Sequence, residues 1–244
     1  MNVDVVLLPW DLRPEHVSGR VVVVLDVLRA TTTMIAALAA GIREIHVFDE
    51  LGAAIAAARV SSVPHLLCGE RHAVKPPDFD LGNSPGVFEP HLHRGQTLFM
   101  STTNGTRAIL AAAGSETLFV AALVNADATA DAVTRTGLDL TLLCSGTEGY
   151  VSSEDLLGAG AVIHGLQSRT ELVLASDIAW MAQQLFVAQR DDLKAALTAS
   201  RGGQNIMRAG LADDISFAAR LNSIPVVGVV RGQPPVVSLL HAQS

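Results

Sequence analysis

The sequence predicts an α/β fold, a three-layer α/β/α arrangement around a mostly parallel or mixed sheet, with a helix-rich segment in the C-terminal third. Two observations predict it. Short apolar runs alternate with alanine-rich stretches almost from end to end, the pattern of strands alternating with helices that cover both sheet faces. The run Val21-Val-Val-Val-Leu25 is short, β-branched and unbroken by polar residues, as a strand buried on both faces should be.

In chain order, strands are predicted at Val3–Leu8, Val21–Leu25, Ile45–Phe48, His65–Cys68, Thr97–Met100, Leu118–Val120, Leu140–Cys144, Val226–Val230 and Val236–Leu240. Each is an apolar run too short to compete as a helix. Helices are predicted near Thr32–Ala40, Leu51–Val60, Thr103–Ala113, Ala126–Thr136, Ser153–Gln167, Ile178–Val187 and Asp191–Thr198. Gly41 and Gly114 supply stops for two of them. Residues 1–244 read as a single α/β catalytic domain. Within it, about 154–221 is helix-rich without a clear strand, either a subdomain or a long excursion before the last strands. The segment Gly69–Pro90 is a long, proline-rich loop carrying charged residues just after a strand, and such loops are usually functional when ordered.

Composition narrows the classes. The chain of 244 residues is 49% apolar with mean hydropathy +0.36, enough for a sizeable core. Its net charge of −7 and lack of a basic run argue against nucleic acid and anionic membrane surfaces as partners. No apolar stretch is long enough to span a bilayer, and Asp4 interrupts any signal-peptide pattern. A cytoplasmic location is the resulting expectation. Cys68 and Cys144 each end an apolar run and read as reduced core thiols. An apolar chain with few charges leaves a homodimer as an open expectation.

The chemistry gathers at strand ends. After Leu25 come Asp26-Val-Leu-Arg29-Ala-Thr31-Thr32-Thr33. After Cys68 come Gly69-Glu70-Arg71, and after Met100 come Ser101-Thr102-Thr103-Asn104-Gly105-Thr106-Arg107. After Leu143 come Cys144-Ser145-Gly146-Thr147, leading to Ser153-Glu154-Asp155. Small ligands of open α/β sheets bind at such carboxyl ends. In a parallel sheet the four turns would share one edge and gather Asp26, Glu70 and Asp155 with Arg29, Arg71 and Arg107. Carboxylates among arginines suit a phosphate ester bound through a divalent cation. Singly, Asp26, Thr31 or Ser153 would serve equally as helix caps.

Common phosphatase and hydrolase signatures are absent. No glycine-rich loop ends in Gly-Lys-Ser/Thr, Leu28 stands where a paired-aspartate nucleophile motif needs a second aspartate, and Tyr150 stands where a cysteine phosphatase loop needs arginine. Ala73 breaks the Arg-His-Gly of histidine phosphatases. Gly82-Asn83-Ser84-Pro85-Gly86 spells a hydrolase elbow but sits in a long loop, with a proline that lacks the required N–H.

The chain resembles the Mg²⁺-dependent 2-phosphosulfolactate phosphatases. The resemblance rests on Asp26-Val-Leu-Arg29-Ala-Thr31-Thr32, Gly69-Glu70-Arg71, Phe79-Asp80-Leu-Gly82-Asn83-Ser84-Pro85 and Thr102-Thr103-Asn104-Gly105-Thr106-Arg107. It continues through Asn125-Ala126, Cys144-Ser145-Gly146-Thr147, Ser153-Glu154-Asp155, Gly210, Asp213-Asp214-Ile215 and Pro225-Val226. It implies hydrolysis of 2-phospho-3-sulfolactate to 3-sulfolactate and phosphate on a route to coenzyme M, with Mg²⁺ as cofactor. On that basis Asp26 and Glu70 would serve the metal or the reacting water, with Asp155 as a further ligand or base. Arg29 and Arg71 would hold the phosphate. Thr31, Thr32, Ser145 and Gly146 would line the substrate site, and Thr102, Thr103, Asn104, Gly105, Thr106 and Arg107 would cradle a second anionic group. Asn83 and Ser84 would close from the long loop. His72-Ala73 departs from the glycine pair of the family at this place, which bears on substrate choice. Two rivals stay open: another small phosphorylated acid as substrate, and a non-catalytic protein that binds a small anion.

Overall fold

The computed structural model describes residues 1–241. Ten strands form one sheet: β1 (Asn2–Val6), β2 (Arg20–Leu25), β3 (Glu44–Phe48), β4 (His65–Gly69), β5 (Thr97–Ser101), β6 (Thr117–Ala121), β7 (Asp139–Cys144), β8 (Val173–Leu174), β9 (Gly228–Arg231) and β10 (Val236–Leu239). Their order across the sheet is β4-β5-β3-β10-β9-β6-β2-β7-β1-β8. The nine strands expected from the sequence are present; β8 is an additional two-residue edge strand on β1, inside the stretch that reads as strand-free. β2 lies between β6 and β7 and is buried from Val21 to Leu25, which is why its sequence never alternates.

The sheet is mixed in a particular way. β1, β2, β6, β7 and β8 form one parallel block, and β3, β4 and β5 form another. The β9–β10 hairpin joins them through three antiparallel pairings. The second block therefore runs opposite to the first, so the expectation of a single shared parallel edge does not hold. Five strand-to-strand steps separate β5 from β2, and at roughly 20–25° each the twist turns the second block by roughly 100–125°. The accumulated turn brings the carboxyl ends of β4 and β5 back towards that of β2. Contacts between the blocks confirm the meeting: Glu148 N–H donates to Asn104 Oδ1 at 3.3 Å, and Arg29 Nη2 donates to the Ala73 carbonyl at 3.3 Å.

The helices are α1 (Ala30–Ala39), α2 (Leu51–Arg59), α3 (Pro90–His93), α4 (Gly105–Ala111), α5 (Ala126–Thr136), α6 (Ser153–Gln167), α7 (Asp177–Gln189), α8 (Leu193–Ala199), α9 (Arg201–Arg208) and α10 (Ala212–Ala218). α1 is buried from Ala30 to Leu38; apart from Thr31, Thr32 and Thr33, whose hydroxyls are hydrogen-bonded, it is apolar, as a helix enclosed by the core must be. It packs against β6, β9 and β10. His91 and His93 lie on the short helix α3, where His93 is buried and its Nδ1 accepts from the Glu89 N–H at 2.9 Å. The Gly69–Pro90 loop folds back along β4, with Gly69 N–H donating to Leu81 O and Leu81 N–H donating to Leu67 O. Helices α9 and α10 lie in the helix-rich stretch where the sequence marks none. Ser200 starts α9 by accepting from the Gly203 N–H at 3.1 Å. Both cysteines are free and buried; burial pushes the Cys68 thiol up to about 12 and Cys144 upward as well.

Candidate active site

The β2 run ends at Asp26, and the chain turns at once into α1. The turn closes on itself: Ala30 N–H donates to Asp26 Oδ1 at 3.0 Å, Thr31 N–H and Oγ1 donate to Asp26 O, and Asp26 N–H donates to Thr31 Oγ1. Thr32 Oγ1 donates to Val27 O at 2.7 Å. Thr31 and Thr32 are thus fully buried parts of the turn, their hydroxyls bonded within it. Asp26 Oδ2 takes no hydrogen bond from the described residues. Gly105, at the start of α4, leaves room for it, since a Cβ there would stand 2.7 Å from Oδ2. Burial pushes the Asp26 carboxyl from its ordinary value of 3.8 up to about 7, helped by the charges of Glu70 and Glu154 and opposed by the Ala30 N–H and by Arg29.

Glu70 follows β4 and is equally built in. Its Oε1 accepts from Thr103 N–H at 2.7 Å, and its Oε2 accepts from Ala73 N–H at 2.8 Å and Thr103 Oγ1 at 3.2 Å. It ties the loop after β4 to the turn after β5. That second turn is further held by Thr102 and Thr106, whose side chains and backbone bond each other.

Arg29 is 4% exposed and spends its charge on a residue far along the chain. Its Nη1 meets Asp214 Oδ2 at 2.7 Å, and Ser84 Oγ donates to the same oxygen at 2.8 Å. A buried charge without a partner would be costly, so Asp214 on α10 is what lets a guanidinium sit at this depth.

Glu154 and Asp155 open α6 side by side and do different things. Asp155 accepts from Val27 N–H through Oδ1 and from Gly146 N–H through Oδ2, both at 2.9 Å. It latches the β7 turn to the β2 turn, and burial holds its carboxyl well above the ordinary range. Glu154 Oε1 accepts from Gly202 N–H at 3.0 Å and from Thr147 Oγ1 at 3.3 Å. Its Oε2 is buried with no partner.

These elements surround a cavity of about 360 Å³. Its strand-end side carries Asp26, Arg29, Glu70, Asn83, Thr103 and Asn104; His72 and Ala73 follow from the β4 loop, Thr147 and Glu148 from the β7 turn, and Gly202, Asn205 and Arg208 from α9. Six of the residues expected from the sequence therefore meet here. Arg71 does not: its guanidinium donates to the carbonyls of Glu70 and Asp49 and to Ser101 Oγ, bracing the strand ends. Arg107 lies exposed on α4, outside the lining. Ser84 acts through Arg29 and Asp214, and Gly105 by leaving space beside Asp26. Thr102 and Thr106 brace their own turn. Ser145 is buried with its N–H on Leu25 O, and Gly146 is taken up by Asp155. Asp155, expected as a metal ligand or base, has both oxygens on backbone N–H groups. Among the described residues, no three of His, Cys, Asp and Glu stand close enough to hold a metal ion by themselves. Asp26, Glu70 and Asp155 thus do not form a ligand cluster.

Glu154, Arg208 and Asp214 are among the site residues to which the sequence reading gave no role. Glu154 and Asp214 lie inside the family-like blocks, whereas Arg208 falls in a stretch without any recognisable pattern.

Comparison with known proteins identifies the family. The sequence model of the family described as 2-phosphosulpholactate phosphatase matches residues 7–233. A probable 2-phosphosulfolactate phosphatase of Carboxydothermus hydrogenoformans is 39% identical, covering 93% of this chain and 92% of its own. Proteins of the same description from Symbiobacterium thermophilum and Pseudothermotoga lettingae are 37% and 34% identical, covering 88% and 93% of this chain and 93% and 95% of their own. With nearly the whole chain matched, this protein belongs to the 2-phosphosulpholactate phosphatase family of phosphoric monoester hydrolases.

Proposed function

We propose that the protein hydrolyses 2-phospho-3-sulfolactate to 3-sulfolactate and phosphate, with Mg²⁺ at the site, in the manner of an enzyme on the route to coenzyme M. The observation that carries this reading is one cavity holding both an open carboxylate oxygen, Asp26 Oδ2, and a guanidinium fixed in place, Arg29. The relatives' descriptions support the substrate. Three anionic groups on three carbons need several separate recognition points. Arg29, His72 and Arg208 supply cationic or donor groups around the lining, and guanidinium groups match phosphate and sulfonate geometry.

The donor set fits a magnesium ion of the kind that takes one or two carboxylates and fills its shell with substrate oxygens and water. Asp26 would hold it, because Oδ2 accepts no hydrogen bond among the described residues and Gly105 puts no side chain against it. When bound, the ion would offset charge on the phosphoryl oxygens. Arg29, held by Asp214 and Ser84, orients the phosphate. Asp26 stands where a carboxylate can act at phosphorus or on the attacking water, which replaces the ester oxygen and leaves the hydroxy acid. Glu70 acts through position, keeping Thr103 and Ala73 at the rim.

A second reading, a different small phosphorylated acid as substrate, is favoured by one feature. His72 and Ala73 both adopt left-handed backbone, with φ of 52° and 65°, where glycine is the comfortable residue. Side chains here narrow a place that glycines would leave open. Phosphate release from 2-phosphosulfolactate and phospholactate, compared with Mg²⁺ and with EDTA, tests the proposal. Metal-dependent preference for the sulfonate is expected. Release from phospholactate alone would replace the substrate, and release from neither would sink the phosphatase reading.

A further inference from the structure

Among the described residues, five buried side-chain atoms lack a hydrogen-bond partner: Asn83 Oδ1, Ser115 Oγ, Thr129 Oγ1, Ser145 Oγ and Glu154 Oε2. Glu154 Oε2 is the one carboxylate oxygen among them. Glu154 is 2% exposed, and an unpaired carboxylate oxygen at that depth is strongly disfavoured in either charge state. A native structure keeps such a group when something outside the chain completes it.

Its surroundings say where that partner would sit. The other oxygen of Glu154 is fixed by Gly202 N–H and Thr147 Oγ1, and both residues line the cavity. A Cβ at Gly202 would occupy the place of Glu154 Oε1, so glycine there lets the carboxylate reach the backbone N–H. Glu154 is thus clamped beneath the wall of the same cavity that Asp26 lines. Its sequence neighbour is a built-in contrast: Asp155 has both oxygens satisfied by backbone N–H groups. Glu70 likewise has both oxygens occupied.

We propose that Glu154 is the second carboxylate of a divalent-cation site whose first is Asp26, with Oε2 as the ligand atom. Gly202 and Thr147 are the groups that aim it. The inference rests on the cation-assisted reading of the cavity, and it names a ligand that neither the motif order nor the resemblance assigns.

The test reads metal binding without turnover. Mg²⁺ is titrated calorimetrically into metal-free protein, with and without inorganic phosphate, and Mn²⁺ binding is followed by its paramagnetic resonance signal. Glu154→Gln should lose at least about tenfold in affinity for both cations and keep the far-ultraviolet dichroism of the unsubstituted protein. Glu70→Gln should lose less. Glu154→Asp, which keeps the charge but shortens the reach, should also bind more weakly, and it serves if the Gln variant does not fold. Unchanged affinity in a folded Glu154 variant overturns the proposal, as does a larger loss in Glu70→Gln. Absence of binding by the unsubstituted protein under both conditions overturns it too. Binding lost with Glu154, in a protein that releases phosphate from no ester, would keep this site and sink the phosphatase reading instead.

Discussion

The two walls of the cavity are built in opposite ways. On the strand-end wall the carboxylates of Asp26 and Glu70 are buried and hold backbone N–H groups, and Arg29 is locked to Asp214. On the facing wall, α9 presents Asn205 and Arg208, whose side chains make no hydrogen bond or ion pair among the described residues; Arg208 is exposed. Groups fixed before substrate arrives need no reorganisation during the reaction. Groups free on a surface must be ordered by the ligand and contribute mainly to holding it. Damage to the first wall should therefore fall on kcat, and damage to the second on KM.

The largest expected effect comes from Asp26→Asn. The amide keeps an acceptor for the Ala30 N–H but removes the charge on the open oxygen. A loss of about 10³-fold or more in kcat is expected, with the thermal midpoint unchanged or raised because a disfavoured buried charge is gone. Phosphate-release kinetics beside a melting curve read both. Next is Asp214→Ala, which leaves Arg29 buried and unpaired. A loss of about 3–5 kcal/mol in stability is expected, measured by denaturant unfolding. A mild effect would mean that water replaces the pair and that the first wall is less rigid than its bonds imply.

The same contrast separates what was legible in the sequence from what was not. Asp26, Glu70 and the Thr102–Arg107 turn could be found because each follows an apolar run, so periodicity and chemistry coincide. The reversal of β3, β4 and β5 could not, since it is set by a hairpin formed by the last two strands, far away in the chain. Arg29 was visible as a cation, but its partner lies 185 positions on. Glu154 and Asp155 are adjacent, and which of them has both oxygens taken up by backbone N–H groups depends on helix phase at the start of α6, about 100° per residue. Arg208 ends a short helix whose buried face is two glycines and Ile206, so nothing local marked it as part of a site.

Arg208→Gln tests the second wall. Loss of a charged contact to the substrate's non-phosphate end should raise KM by about 10- to 100-fold, with kcat changed far less. The rise should be smaller for an analogue lacking the sulfonate. An equal fall in kcat would place Arg208 with the fixed wall.

A smaller effect concerns pH. Asp26 is raised from 3.8 to about 7, so the folded state binds its proton more tightly than the unfolded chain does. That contribution to stability is present below about pH 4 and is lost as pH rises to about 7. In melts of metal-free protein, Asp26→Asn should gain on the unsubstituted chain by several degrees between those limits. Added Mg²⁺ should narrow the difference, because a cation favours the ionised form.

The smallest effect should come from Arg107. By sequence it ends the most site-like turn of the chain, beside Asn104 and Gly105, and a reading from motif alone ranks it with Arg29. Its side chain stands on the exposed face of α4, outside the cavity, while Thr106 on the same helix is buried and tied to Thr102. A helix that turns its threonine into the turn must turn the next residue about 100° away. Arg107→Gln should therefore leave kcat and KM within about twofold, as surface changes away from a site usually do. A large rise in KM would show that α4 rotates or that substrate reaches beyond the cavity. The two walls would then have to be redrawn with α4 as a third.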